Sequence, residues 1–287
     1  MSDGTDTLIK KFEGLEFFKL CASGNDFIVI FNFDGKISPE EGSFLAKKLC
    51  RNKFSVSADG LILLEKPSSE KASFAWRFFN ADGGEAEMCG NGARCVSRLV
   101  VEKGLFKSPF YFETKAGLIY AEVRGKRVKV ALTDPKDLHL NFVIRTEYEW
   151  FMAHFVNTWV PHVVIFWENL DKLPIEKIAP EIRYHEMFAP AGTNVNFVSV
   201  VRDGPRAYLK IRTYERGVEA ETLACGTGSA AAAYISYKLG LLSPPIEVLT
   251  KGGEVLKIYI EEKEEKIFLE GDTLFVFEGQ IREDALK

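Results

Sequence analysis

The sequence has no Cys-x-x-Cys pair and only four histidines in 287 residues. A structural zinc site needs a compact set of such ligands, so none is expected. No run of 18 or more apolar residues occurs, and no membrane-spanning helix is expected. No basic block is longer than a few residues and the net charge is −4, which argues against nucleic acid as a partner. Residues 1–14 are polar and charged without an apolar centre. They do not read as a secretory signal but as a short leader, mobile at its start. No lysine motif for pyridoxal phosphate stands out, and no metal and no cofactor is expected.

What is present is ordinary in bulk. Hydrophobic residues make up 46% and charged residues 27%, as in globular proteins generally. The length suffices for one large domain or for two of roughly 100–150 residues. Five cysteines at irregular spacing make an odd count. A disulfide framework is not expected, and the cytoplasm is the better setting.

The pattern of elements repeats. Strands are expected at 16–20, 27–31, 60–65 and 74–79. Ser38-Pro39-Glu40-Glu41 is a capping box with proline at the first helical position. A helix is expected from Cys89 to Lys103, stopped by Gly104, and a run of strands from 110 to 130. After a boundary near residue 130 the order recurs. Strands are expected at 139–160 and 163–167, a short helix at 173–182, and strands at 196–201 and 207–214. A helix from Cys225 to about Leu239, stopped by Gly240, precedes paired strands to the end. The predicted fold class is α+β, with two pseudo-symmetric domains. Each is a mostly antiparallel sheet wrapped around a central helix. The domains are expected at 1–130 and 131–272.

The two long helices open in the same way. Glu87-Met88-Cys89-Gly90-Asn91-Gly92 and Leu223-Ala224-Cys225-Gly226-Thr227-Gly228 each set a cysteine against a glycine-bearing helix start. Upstream, Arg77 precedes Cys89 by 12 residues and Arg212 precedes Cys225 by 13. A helix start offers unpaired N–H groups and partial positive charge, so it suits a carboxylate. The same field favours thiolate, so both cysteines are expected below the free thiol range. Two such thiols on matched halves suit acid and base on opposite faces of one α-amino acid, as racemisation or epimerisation requires. Neither unit would be a site alone. Cys21, Cys50 and Cys95 read instead as small buried hydrophobes.

At several segments the chain resembles the diaminopimelate epimerases. These are Gly24-Asn25-Asp26-Phe27, Ala58-Asp59-Gly60, Phe79-Asn80-Ala81-Asp82-Gly83, Met88 to Cys95, Pro161-His162, Thr193 to Phe197, and Tyr214-Glu215-Arg216-Gly217 through Gly228. The resemblance covers nearly the whole chain beyond residue 14. It implies cofactor-free interconversion of LL- and meso-2,6-diaminopimelate, in lysine and peptidoglycan precursor synthesis. It implies Cys89 and Cys225 as the two acid/base thiols, with His162 and Glu215 beside them, though not which serves which. Gly90, Asn91, Gly226 and Thr227 would bind the reacting carboxylate through backbone N–H groups. Asn25, Asn80, Asn194 and Arg216 would hold the distal end, Arg216 through a bidentate carboxylate contact. The segment 273–287 would return to the first domain, and the family is typically homodimeric.

The chain departs from the family pattern in three places. Cys21-Ala22-Ser23 replaces a His/Gln-Gly lead, Ser55-Val56-Ser57 replaces a glycine-containing lead, and Trp159-Val160 stands where many members have Gly-Asn. The alternative on the same fold is a proline or hydroxyproline racemase. Asn91 stands against it, since those relatives usually carry histidine after the first Cys-Gly, and Arg216 favours a second carboxylate. A non-catalytic binding relative is disfavoured by the presence of both cysteines, and a thiol redox protein by their separation.

Overall fold

The computed structural model describes residues 3–132, 134–147, 149–261, 263 and 265–287. The chain divides into two compact units, 1–130 with 273–287, and 131–272. The first holds α1 (Asp3–Phe12), β1 (Glu16–Ala22), β2 (Asn25–Phe31), α2 (Pro39–Leu49), β3 (Gly60–Glu65), β4 (Ala75–Asn80), β5 (Glu85–Ala86), α3 (Gly90–Glu102), β6 (Phe110–Thr114), β7 (Gly117–Arg124) and β8 (Arg127–Ala131). The second holds β9 (Lys136–Arg145), β10 (Trp150–Asn157), β11 (Pro161–Phe166), α4 (Ile175–Arg183), β12 (Asn194–Asp203), β13 (Arg206–Glu215), β14 (Ala220–Thr222), α5 (Gly226–Lys238), β15 (Ile246–Leu249), β16 (Val255–Glu261) and β17 (Lys266–Asp272). Finally β18 (Leu274–Gln280) and α6 (Glu283–Leu286) belong to the first unit.

Strand pairing within the two units is the same, position by position. In the first the order is β18-β1-β2-β3-β4-β6-β7-β8. In the second it is β9-β10-β11-β12-β13-β15-β16-β17. Every pair in these orders is antiparallel except the third and the fifth. A parallel third pair needs a crossover, which α2 supplies between β2 and β3 and α4 between β11 and β12. A short strand hangs from the fifth strand of each order, β5 on β4 and β14 on β13. The first unit thus takes its outermost strand, β18, from the far end of the chain.

The continuous apolar runs follow from burial on both faces. In β2, Phe27 and Val29 face the core around α3, while Ile28 and Ile30 face the core with α2. In β3, Ile62 and Leu64 point to α3, and Leu61 and Leu63 to α2. The second unit repeats this, with Val164 and Val198 towards α5 and Val163, Ile165 and Phe197 towards α4. α3 buries Ala93, Val96, Leu99 and Val100 completely, at helical spacing. In α5 the run Ala230–Ala233 is buried all round, so the sheet closes against a helix with little side-chain bulk. The fold is the expected α+β type.

The N-terminal segment differs from expectation. Residues 3–12 form α1, whose Ile9 and Phe12 join Leu45, Leu49 and Leu286 in one core cluster. Apolar side chains three residues apart lie on one helical face, and Gly14 N–H bonds to Ile281 O at 2.8 Å. Residues 3–12 are thus a docked helix; the mobile start expected of the segment falls on residues 1 and 2, outside the described residues. Among the described residues no helix is long and apolar enough to cross a membrane.

Candidate active site

α3 begins at Cys89, whose extended backbone (φ −146°, ψ 118°) makes it the N-cap residue. The first helical bond is Ala93 N–H to Cys89 O, 2.8 Å. The N–H groups of Gly90, Asn91 and Gly92 therefore stand ahead of it at the helix end. Cys89 is half-buried. Beside it a polar chain runs in one direction. The fully buried Arg94 donates from Nη2 to Asn91 Oδ1 at 2.6 Å and to Ser23 Oγ at 2.6 Å. Asn91 Nδ2 donates to Asn25 Oδ1 at 2.6 Å, and Asn25 Nδ2 donates to Asp59 Oδ2 at 3.0 Å. A guanidinium only donates and a carboxylate only accepts, so both amides are fixed in orientation. Asn80 is exposed at the end of β4, opposite Gly60. The next residue, Ala81, donates its N–H to Asp59 O at 3.2 Å, which sets Asn80 beside the same chain.

In the second unit Cys225 is the N-cap residue of α5 (φ −124°, ψ 111°). Its Sγ accepts from Gly228 N–H at 3.4 Å and lies 3.5 Å from Thr227 Oγ1. Thr227 Oγ1 lies 3.0 Å from His162 Nε2. On the other side of the ring, Asn196 Nδ2 is 3.1 Å from His162 Nδ1. Asn196 Nδ2 also donates to Val163 O at 2.8 Å, and its Oδ1 accepts from Thr213 Oγ1 at 2.9 Å. Those two bonds fix the amide, so Asn196 donates to Nδ1 and the ring proton sits on Nε2. The order is Asn196 N–H to His162 and His162 N–H to Thr227, whose hydroxyl lies against Cys225 Sγ. Gly228 is required for this approach, because a Cβ there would stand 2.4 Å from Asn196 Oδ1.

Electrostatics correct the expected thiolate at this helix start. Burial first, then the nearby Glu215 carboxylate, pushes the Cys225 thiol up to about 12, against the hydrogen bonds from Thr227 and Gly228. Desolvation outweighs the helix field. Complete burial, with Arg216 nearby, pulls His162 down to about 3, so the ring is neutral at ordinary pH. Burial holds Glu215 above the usual carboxylate range, with Thr222 pulling partly back.

The remaining residues of the second unit sit near the end of β13. Asn194 is buried, and its amide is held by two backbone groups: Nδ2 donates to Pro161 O at 3.0 Å and Oδ1 accepts from Arg216 N–H at 2.8 Å. The Arg216 guanidinium is partly exposed and reaches Ala191 O at 3.3 Å. Among the described residues no three His, Cys, Asp or Glu side chains cluster to hold a metal.

The diaminopimelate epimerase family model matches residues 17–137 and 154–276. The chain belongs to the diaminopimelate epimerase family. It is an isomerase. The diaminopimelate epimerase of Hydrogenobaculum sp. (strain Y04AAS1) is 50% identical over 284 residues, covering 96% of this chain and 98% of that relative. That of Aquifex aeolicus (strain VF5) is 45% identical over 282 residues, covering 95% of this chain and 100% of that relative. Among solved structures, a phenazine biosynthesis protein of Bacillus anthracis superposes with a TM-score of 0.72 at 18% identity. It covers 94% of this chain and 99% of that one. At that identity the likeness speaks for the fold alone.

For a chain of this family, the structure adds residues to which the sequence assigned no role. Asp59, Arg94, Asn196 and Thr213 orient the named site residues, and their signal was only their place within or beside the family segments. Cys50 and Cys95 are buried as expected, whereas Cys21 is half-buried. All three departures from the family pattern have a backbone consequence. Ser57 (φ 64°) and Trp159 (φ 94°) occupy the left-handed region that favours glycine, and Ser23 (φ 52°) in the third departure does the same. Two short helical turns, Leu170–Lys172 and Glu186–Phe188, the second capped by the His185 side chain, also flank α4 without having been expected.

Proposed function

We propose that the protein interconverts LL- and meso-2,6-diaminopimelate without a cofactor, with Cys89 and Cys225 as its acid/base pair. The reading is carried by one observation: each thiol is the N-cap residue of a central helix, in two units of identical strand order. Cys225 rests as the thiol, with its proton stabilised by burial. In this reading the pair holds one proton, so that one thiolate takes the α-proton while the opposite thiol delivers one, the roles exchanging with the direction of the reaction. The neutral His162 steers the Thr227 hydroxyl towards Cys225 Sγ and stabilises charge as it forms there. Glu215, whose carboxylate acts on the Cys225 thiol, belongs with the same thiol. The reacting carboxylate would take the first-turn N–H groups of Gly90 and Asn91 and of Gly226 and Thr227. Asn25, Asn80, Asn194 and Arg216 would contact the distal amino-acid end. Asn194 would do so mainly by fixing the backbone of Arg216.

The reaction serves lysine and peptidoglycan precursor synthesis in this reading, in a cytoplasmic homodimer. The odd cysteine count supports a reducing compartment. Light scattering at assay concentration tests the dimer.

The decisive experiment is incubation with LL-diaminopimelate in D2O without added cofactor, followed by proton NMR. The α-proton signal should fall as meso isomer appears. Exchange with proline and none with diaminopimelate would move the assignment to the racemases. Replacing Cys89 or Cys225 by serine should lower turnover by about a thousandfold or more. A near-parental rate in either variant would sink the two-thiol mechanism.

A further inference from the structure

The duplicated Arg-to-Cys spacing has a counterpart outside the thiol sites. In the first unit Arg77 on β4 reaches Glu85 on β5, Nη1 to Oε1 at 2.9 Å. In the second, Arg212 on β13 reaches Glu221 on β14 through two bonds, Nε to Oε1 at 2.6 Å and Nη2 to Oε2 at 2.8 Å. The strand register is the same in both, although Arg77 makes one bond to Glu85, with its Nη2 also 3.5 Å from Glu65 Oε2, where Arg212 makes two to Glu221. Glu85 pairs with Phe79, two residues beyond Arg77 on the same face, and Glu221 pairs with Tyr214, two beyond Arg212. Each ion pair is therefore a diagonal across one short ladder. Cys89 follows Glu85 by four residues, and Cys225 follows Glu221 by four.

β5 is two residues long and β14 three. Few ladder bonds hold either strand, and the chain leaving each ends at an N-cap cysteine. Surrounding contacts differ but serve the same end. Glu85 is also gripped by Lys115 Nζ at 2.6 Å. Arg212 Nη1 also donates to the Leu170 and Leu173 carbonyls, at 2.5 and 2.9 Å. The Arg212–Glu221 pair is well shielded, with side chains 12% and 14% exposed, so its bonds are stronger than those of a surface pair.

We propose that Arg77–Glu85 and Arg212–Glu221 are matched positioning pairs, each fixing where its own thiol stands at the head of its helix. Neither pair touches the reacting atoms in this scheme. They act through the three residues that join each glutamate to its cysteine. Only the turnover effect rests on the two-thiol reading of the site.

The test is peptide-resolved alkylation of the intact protein by iodoacetamide, without substrate, on Glu85→Gln and Glu221→Gln. Glu221→Gln should raise the alkylation rate of Cys225 by about tenfold and leave Cys89 within about twofold, since a small shift of a reacting atom carries effects of this order. Glu85→Gln should do the reverse. In the epimerase assay both should lower kcat with KM nearly unchanged. Glu221→Asp and Glu85→Asp keep the charge and should lie between parent and glutamine variant. They carry the same selectivity test where a glutamine variant does not fold. Rates for both cysteines within twofold of the parent, or rising together in each variant, would overturn the proposal. So would a drop in Tm with unchanged alkylation. Absent epimerase activity in the parent would strike the functional reading and leave the alkylation result standing.

Discussion

Asn196→Ala is the most informative single perturbation of the second unit. The side chain is fully buried. Its removal strips partners from three buried groups at once: His162 Nδ1, Val163 O and the Thr213 hydroxyl. Each buried polar group left unsatisfied costs about 1–3 kcal/mol. Val163 O and the threonine hydroxyl can recover part of that from each other or from entering water. A net loss of about 3 kcal/mol follows, and for a unit of this size it lowers Tm by about 6–12 °C. Activity should suffer separately. Without the Asn196 N–H, nothing in the network requires the His162 proton to stay on Nε2, and the donor to Thr227 is lost part of the time. A fall in kcat of about a hundredfold is expected, the usual worth of one proton-handling step. Asn196→Asp separates the two effects. It preserves the shape and the acceptor for Thr213 but replaces the donor facing Nδ1 by a carboxylate. His162 should then carry a proton on Nδ1 and titrate well above its present value of about 3. Urea unfolding, the epimerase rate and NMR titration of the four histidines together check this. Parental kcat in Asn196→Ala, or a His162 titration unmoved in Asn196→Asp, would refute the ordering of the relay.

Three further outcomes follow from the same geometry. His162 has a folded-state pKa of about 3 against 6.5 when free, so the unfolded chain binds the extra proton between those values. Its stability contribution is complete above pH 6.5 and is lost as pH falls towards 3, by up to about 5 kcal/mol. Unfolding curves of His162→Gln should lack that part of the acid slope. Cys225 keeps its proton until about pH 12 in the free protein, so its alkylation by iodoacetamide at pH 8 should be far slower than that of a free thiol and rise steeply with pH. A rate independent of pH from 7 to 10 would contradict that. Gly228→Ala forces a Cβ to 2.4 Å from Asn196 Oδ1. It should cost about 1–3 kcal/mol of stability and lower kcat together with it, measured by urea unfolding and the epimerase assay.

Much of the fold was legible because its signals are local. The capping box at Ser38 and Glu41 formed as written, and α3 and α5 start at their cysteines and stop at Gly104 and Gly240. α1 escaped because a short apolar stripe of Ile9 and Phe12 among charges has meaning only once α2 and α6 provide a surface for it. β5 and β14 are too short to carry a periodic signal, and they are held by side chains as well as by ladder bonds.

At the candidate site, the position of each cysteine at a helix head was legible in the sequence, whereas its protonation state was not. Cys89 and Cys225, each at the head of a glycine-bearing helix, follow from local order along the chain, because an N-cap depends on a few neighbouring residues. Which way Asn25, Asn91 and Asn196 point depends on Arg94, Asp59 and Thr213: Arg94 comes from one helical turn beyond Asn91, whereas Asp59 and Thr213 come from distant parts of the chain. The Cys225 pKa was expected to fall and instead rises, because desolvation is set by everything packed around the sulfur and the helix start is only one neighbour. Sequence fixes which groups enter such a site; the tertiary fold decides how dry it is and where each proton rests.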